Sequence, residues 1–510
     1  MNRIYSVWIL LSLIPFKQSY SQHLTSDAET RKEIGPGEVH SFQIDLDSTE
    51  LAFIHFDQQG ADILIEVRDP GGESIGEFDG TNGNQGPELV HILARKKGTY
   101  SLAVKLFEEQ KKNGFYSVKL AKQFGPRESF SKQLDQFIGY WAEQGYLPGF
   151  AVAIVTKDEI LFQKAYGFAD IERQKPYTLE TLQNIGSVSK TLLGTSLMKA
   201  VEEGKLQLND PVNSYVPYQI YNPYFSNATI TIRHLATHTS SLKDTEAYEK
   251  SYILREPFTY KRGELPKSEY KEFQFYTKNV VQPYSQFLES LYSEKGELYR
   301  KKNFHKYPSG SRFSYSNGGA TVVAQVLSEV YNTPYNELTR SQILDPLGMN
   351  ASGWSFEEID QTQHARLYSF NQKPLPFYSI ITYPDGGLIS NVKDMTLYLQ
   401  AQMKGYFGEG GLLLPESYQK MMSPQLNESQ QTQKNRNYGI FWERRGKYIG
   451  HNGGDPGAVC FVRFNSETGV GRVIQTNIVP NQPMTVKAFF SIWSALEQFG
   501  IYLHASPASP

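Results

Sequence analysis

Strand-like segments lie at both ends of one long region, with mostly helical segments between them. Gly149–Val155 and Leu161–Tyr166 read as two hairpin strands near its start. Strands return at Lys447–Gly450, Val459–Phe464 and Val473–Ile478 near its end. Such an order calls for one sheet assembled from distant segments and covered by the helices between them. A helix is expected just ahead of the first strand, where Leu134, Phe137, Ile138 and Trp141 share a face. Another is expected over Val486–Leu503.

The preceding hundred residues read differently. VHSFQIDL, LAFIHFD, ADILIEVRD, ELVHILAR, TYSLAVKLF and FYSVKLAK alternate apolar and polar residues, separated by turn signals such as Asp69-Pro70-Gly71-Gly72 and Asn82-Gly83-Asn84. This spacing predicts an all-β sandwich over 22–122, with a linker at 123–128. The segment resembles the small β-sandwich modules appended to many secreted bacterial hydrolases, of the pre-peptidase C-terminal type. It holds no cluster of catalytic residue types, so packing, spacing or adhesion is the expected role.

At 510 residues the chain has room for two or three domains. A formal charge of −2, with no long run of Lys or Arg, offers nothing to nucleic acid. Met1-Asn2-Arg3, the apolar VWILLSLIPF and the small residues Ser19-Tyr20-Ser21 read as a secretory signal over 1–21, with an uncleaved anchor as the alternative. Cleavage leaves no stable membrane span and a periplasmic or secreted protein. Cys460 is the only cysteine, which excludes an intramolecular disulfide. Its apolar setting, AVCFVRF, predicts a buried thiol.

NIGSVSKTLLG, residues 184–194, carries the first candidate chemistry. Serine is a poor nucleophile unless a base takes its proton. Ser187 and Lys190 are three apart and share a helix face. A desolvated lysine disfavours its ammonium form and can act as that base. At the helix start, Ser187 would also have free backbone N–H groups near a developing oxyanion. Spacing alone is weak, because serine is also a common N-cap. The same spacing recurs at Ser129/Lys132, Ser196/Lys199, Ser240/Lys243, Ser268/Lys271, Ser390/Lys393 and Ser417/Lys420.

Two further stretches add context. In FSYSNGG, Tyr315 and Asn317 are two apart ahead of a glycine pair. A phenol near a lysine cation can be held as phenolate, and an asparagine offers both donor and acceptor to a substrate amide. In YIGHNGG a strand-like run ends at His451, and Gly453 and Gly454 then let a substrate backbone approach. Ordinary polar or glycine turns are the bland readings of both.

With these motifs in this order, residues 129–505 resemble the serine β-lactamase and penicillin-binding-protein superfamily, nearest its class C β-lactamase, D-alanyl carboxypeptidase and esterase branch. PGFAVAIV at 148–155, IRHLATHTSSL at 232–242, DPLGM at 345–349 and YPDGGLISNVKDM at 383–395 match further recurrent stretches. The resemblance implies an α+β β-lactamase/transpeptidase-like domain, an antiparallel sheet flanked by helices plus a mainly helical region, following the N-terminal all-β sandwich. It implies acylation at Ser187, with Lys190 and Tyr315 sharing proton transfer and Asn317 orienting the substrate amide. Ser187 and Gly454 would supply the oxyanion amides; His451, Gly453 and Gly454 would form the third motif. The rival serine–lysine pairs fall out of family order. Members commonly carry lysine where His451 stands, so a fixed cation for substrate carboxylate is in doubt.

The expected activity is cofactor-free hydrolysis of a small ester, a β-lactam or a D-amino-acid peptide, including peptidoglycan-derived ones. A non-turnover penicillin-binding or sensor protein is the alternative. His234 and His238 are four apart, but HLATH lacks the glutamate of a zinc helix, so no metal site is expected. Residues 244–282 are polar and aromatic-rich, and a lid or substrate-facing excursion is a plausible role for them.

Overall fold

The computed structural model describes residues 21–505 apart from 26–27, 49, 79–83, 108–109, 111, 125–129 and 434. Apart from Ser21, the secretory-signal residues lie outside it, as do Asn82, Gly83 and linker residues 125–128. The chain divides into two compact units, meeting between Glu128 and Ser129.

The N-terminal unit has a five-stranded sheet in the order 22–23, 39–46, 98–106, 63–68, 74–78 and a four-stranded sheet in the order 29–34, 114–124, 51–59, 85–93. Their inward residues share one core. Phe42, Ile44, Ile65 and Val104 come from the first sheet; Ile54, Phe56, Val90, Tyr116 and Val118 come from the second. The Phe42 ring meets Phe56 edge-on at 5.9 Å and Tyr116 at 6.5 Å. The last strand runs through Gln123 and Phe124, which pair with Ala52 and Leu51. The linker expected at 123 therefore begins later, because these two residues still complete a ladder.

The C-terminal unit is built on an eight-stranded sheet in the order 175–176, 160–170, 149–155, 471–476, 458–465, 448–455, 443–445, 436–438. Every adjacent pair is antiparallel. Strand Gly149–Val155 pairs with Gly471–Thr476, which joins the two ends of the region in one sheet. Alternation sends neighbouring side chains to opposite faces. Phe461 meets Phe489 and Trp493 of helix Pro483–Ala505 edge-on. Cys460 and Val462 enter the main core with Leu192, Leu193 and Leu197 of helix Ser189–Glu202 and Val322, Val323 and Val326 of helix Asn317–Tyr331. That second face carries the catalytic candidates.

The third motif departs from its sequence reading. The strand does not end at His451 but continues to Asp455, with Gly453 opposite Cys460 and Gly454 opposite Val459. Residues 244–282 contain a strand, Tyr252–Leu254, paired with Tyr378–Ile380, and a helix, Lys267–Tyr276. Leu265, Phe273 and Tyr276 form a small core with Tyr378 and Ile380. Among the described residues, no helix is long and apolar enough to cross a membrane.

Candidate active site

The nucleophile turn is seated directly on the third-motif strand. After the short bridge of Gln183–Asn184 to Ile389–Ser390, the chain turns at Gly186 and enters the 3-10 turn Gly186–Val188, then the helix Ser189–Glu202. Gly186 has φ of +55°, and a Cβ there would stand 2.6 Å from the Gly454 nitrogen. A Cβ on Gly453 would stand 1.8 Å from the Ile185 carbonyl oxygen and 3.0 Å from the Ser187 nitrogen. Both glycines are thus required by close backbone approach. The contact sets the Gly454 amide beside Gly186 and the Ser187 amide beside Gly453.

One helical turn on, the buried Lys190 ammonium donates to Ser187 Oγ at 3.1 Å, to Asn317 Oδ1 at 2.7 Å and to the Asp385 carbonyl oxygen. Asn317 Oδ1 and the carbonyl have no proton to give, so they hold two N–H groups. In the neutral amine the remaining lone pair then faces the Ser187 hydroxyl. Burial pushes the Lys190 pKa below the usual lysine value, opposed by the carboxylates of Asp385, Asp244 and Asp455.

Tyr315 stands across from it. Its ring centroid is 5.0 Å from Lys190 Nζ and 4.2 Å from the His238 ring. Its hydroxyl is buried without a hydrogen bond of good geometry, although the Ser187 hydroxyl is near enough to ease its ionisation. The geometry marks this as an approach, not a formed bond. Burial drives the Tyr315 pKa far above the usual phenol value, and Asp385, Asp244 and Glu443 push the same way. The phenolate expected from sequence is therefore replaced by a neutral phenol, because lysine proximity does not offset desolvation.

Asn317 begins helix Asn317–Tyr331, whose start is heavily capped. Gly319 N–H donates to Ser316 Oγ at 3.0 Å. The Asp244 carboxylate accepts from Asn317 N–H at 2.6 Å, Gly318 N–H at 3.1 Å and Ser316 Oγ at 3.0 Å. A carboxylate here meets both orphan amides and the positive end of the helix. Burial nevertheless raises the Asp244 pKa to about 6, against those amide bonds.

His451 is buried with its ring 6.1 Å from that of Tyr315. Its Nδ1 lies 2.7 Å from the Asn452 carbonyl oxygen, which can only accept, so Nδ1 carries the proton and Nε2 is an unpaired acceptor. Burial lowers its pKa to about 4, Lys190 adds to this and Glu443 opposes it. At neutral pH the third motif therefore presents no cation. Asn452 points to the other side of the strand and accepts from Arg463 at 3.2 Å.

His234 and His238 do not share a helix face. The helix stops at Ala236 and His238 has φ of +56°. His238 Nδ1 instead accepts from Ser316 N–H at 3.3 Å. Among the described residues, no group of three or more His, Cys, Asp or Glu side chains is arranged to hold a metal ion. Ser189 is an anchor, accepting from Leu388 N–H at 3.2 Å.

Sequence reasoning missed Asp244, Asp385, Asp455, Tyr248 and Tyr252. Tyr248 donates to the buried Asp385 carboxylate, whose oxygens lie 2.9 and 2.8 Å away, and Thr321 donates to it at 2.6 Å. This clamp aims the Asp385 carbonyl at Lys190. Tyr252 donates to Asp455 at 2.9 Å. Two tyrosines of the 244–282 stretch thus reach acidic groups around the lysine. Asp385 lies in the quoted YPDGG and was open to notice; nothing in the sequence pairs it with Tyr248.

A family model described as Beta-lactamase matches residues 134–497. The human mitochondrial serine beta-lactamase-like protein LACTB is 25% identical over 369 residues, 61% of this chain and 67% of that protein. Protein flp of Staphylococcus aureus is 21% identical over 356 residues, 68% of this chain. The chain spans 63% of that relative's length. The octameric penicillin-binding protein homologue from Pyrococcus abyssi superposes with a TM-score of 0.54 at 23% identity, over 71% of this chain and 77% of that one. The penicillin binding protein from Bacillus halodurans superposes with a TM-score of 0.52 at 21% identity, over 71% and 98%. At these identities the two structures bear on the fold alone.

Proposed function

Since the chain belongs to the Beta-lactamase family, we propose that it hydrolyses a small ester or amide through an acyl-enzyme on Ser187. The observation that carries this reading is Lys190 Nζ, buried, 3.1 Å from Ser187 Oγ and held by two further acceptors. As the Ser187 oxygen bonds to the substrate carbonyl carbon, its proton passes to neutral Lys190. The developing oxyanion is met by the Ser187 and Gly454 N–H groups. Collapse breaks the bond to the leaving group, which takes the proton back from Lys190, with the neutral Tyr315 phenol as relay. Water then repeats the sequence on the ester: Lys190 takes one of its protons, Ser187 recovers a proton as it leaves, and a carboxylic acid is released. No cofactor enters these steps.

Neutral His451 supports a preference for substrates without a carboxylate at the third motif. Simple esters and neutral amides therefore rank ahead of β-lactams and C-terminal D-peptides, which carry that charge. The leader-like residues 1–21 support export.

Turnover of p-nitrophenyl acetate by the purified protein tests the reading, beside Ser187→Ala and with mass spectrometry of the protein. Loss of about a thousandfold or more in the variant is expected. Unchanged turnover in Ser187→Ala overturns the mechanism. One stable acyl adduct on Ser187 without turnover favours the binding or sensor protein instead.

A further inference from the structure

No hydrogen bond of good geometry holds the Tyr315 hydroxyl, so the phenol is placed from behind its ring and from the chain on either side. His238 does both. Its imidazole lies 4.2 Å from the Tyr315 ring, at an interplanar angle of 30°. Its carbonyl oxygen accepts from Ser314 N–H at 2.7 Å, and its Nδ1 accepts from Ser316 N–H at 3.3 Å. One residue thus grips the chain immediately before and immediately after Tyr315 and backs the phenol between them.

His238 is itself locked. Its backbone is left-handed, with φ of +56°, a conformation that histidine and asparagine enter more readily than most side chains. Phe313, Tyr438 and Phe441 meet its buried ring edge-on at 5.9, 5.7 and 5.7 Å. The Ser316 N–H can only donate, so Nδ1 is the acceptor and Nε2 carries the proton. Burial holds the His238 pKa well below the usual histidine value, helped by Lys190 and His451, so near neutral pH protonation does not take Nδ1 from Ser316. Nε2 is buried without a hydrogen-bond partner, so the imidazole acts through Tyr315 and not on a substrate.

We propose that His238 is a positioning residue for proton return: it sets the Tyr315 phenol that relays the proton to the leaving group. The HLATHTSSL stretch then serves the reaction, through His238, as well as the fold.

This inference rests on the Ser187 reading with Tyr315 as relay, and the choice of leaving group separates the two. p-Nitrophenolate leaves without a proton, whereas the alkoxide of benzyl acetate must take one, and kcat/KM reports acylation with each ester. His238→Asn suits the left-handed backbone and keeps an acceptor near the Nδ1 position, but removes the ring behind Tyr315. His238→Phe keeps a ring and removes the acceptor. Each should lose at least about tenfold in kcat/KM for benzyl acetate and under about threefold for p-nitrophenyl acetate. In the Tyr315→Phe background neither should lower benzyl acetate turnover further, since the group they position is gone. Circular dichroism checks folding, and His238→Asn decides alone if His238→Phe does not fold. Equal losses with the two esters, no loss with either, or a selective loss that persists without the Tyr315 hydroxyl overturns the positioning role alone. A wild type that cleaves p-nitrophenyl acetate but not benzyl acetate, or a Tyr315→Phe variant that shows no selective loss, overturns the relay and this inference with it. No turnover of either ester overturns the hydrolase reading first.

Discussion

Gly453→Ala tests how the nucleophile turn is held. The added methyl carbon would stand 1.8 Å from the Ile185 carbonyl oxygen. A tolerable C···O contact is about 3.3 Å, so the strand and the turn must part by roughly 1.5 Å. Neither is free to do so. The strand is paired along its length with Ala458–Asn465, and Ile185 N–H is bonded to the Leu388 carbonyl oxygen at 3.0 Å. Overpacking of this kind costs about 1–3 kcal/mol of stability. The larger effect falls on rate, since a displacement of about 1 Å in a reacting group can cost on the order of a hundredfold. Gly453→Ala should therefore remain folded but lose about a hundredfold or more in kcat for p-nitrophenyl acetate, with Lys190 and Tyr315 untouched. Thermal unfolding by circular dichroism and steady-state kinetics measure the two effects separately. A folded variant within about threefold of the wild-type kcat would refute the argument that backbone contact positions the nucleophile.

Two further outcomes concern buried charge behind the site. Glu443 is bonded to Arg436 at 2.7 Å, to Arg445 at 3.1 Å and to Arg463, and these cations hold its pKa at about 2. Glu443→Gln leaves Arg463 buried without its anion, so urea denaturation at pH 7 should show a loss of about 3–5 kcal/mol, and a loss under about 1 kcal/mol would contradict this. His451 is depressed to about 4 in the folded protein against 6.5 in the unfolded chain, so the unfolded chain binds the extra proton. Its contribution is present above pH 6.5 and is lost as pH falls through 6.5 toward 4, by up to roughly 3 kcal/mol. The stability difference between wild type and His451→Gln should shrink along that interval; a difference flat from pH 7 to 4.5 would mean that the imidazole is not held neutral.

The sequence was most legible where one face of an element is buried and the other is wet. VHSFQIDL reads as a strand with the bounds found, Val39–Leu46, because its alternation mirrors its burial. ETRKEI and SIGEF form strands that sequence reasoning passed over. Both lie at sheet edges and expose polar side chains, so alternation is weak there. The sequence places the end of that strand at His451 and gives Gly453 and Gly454 to the approach of a substrate backbone. Here the strand persists because Gly453 makes room for another backbone, a requirement set by a segment more than 260 residues earlier and invisible to any local pattern.

Ser187, Lys190, Tyr315 and His451 were found through motif order, whereas the groups that set their charge were not. Asp244, Asp385 and Asp455 lie far apart in sequence, and each alone resembles any surface carboxylate. Their meaning comes from burial around a single lysine. The same burial acts oppositely on the two kinds of group. It shifts Lys190 toward the free amine that can accept a proton and keeps Tyr315 and His451 neutral, while raising Asp244 and Asp455 toward the range in which they can take up or release a proton. A site desolvated in this way favours reactions whose charge appears only in the transition state and is met by fixed amides. A carboxylate arriving at the third motif finds no cation there, because burial holds His451 neutral.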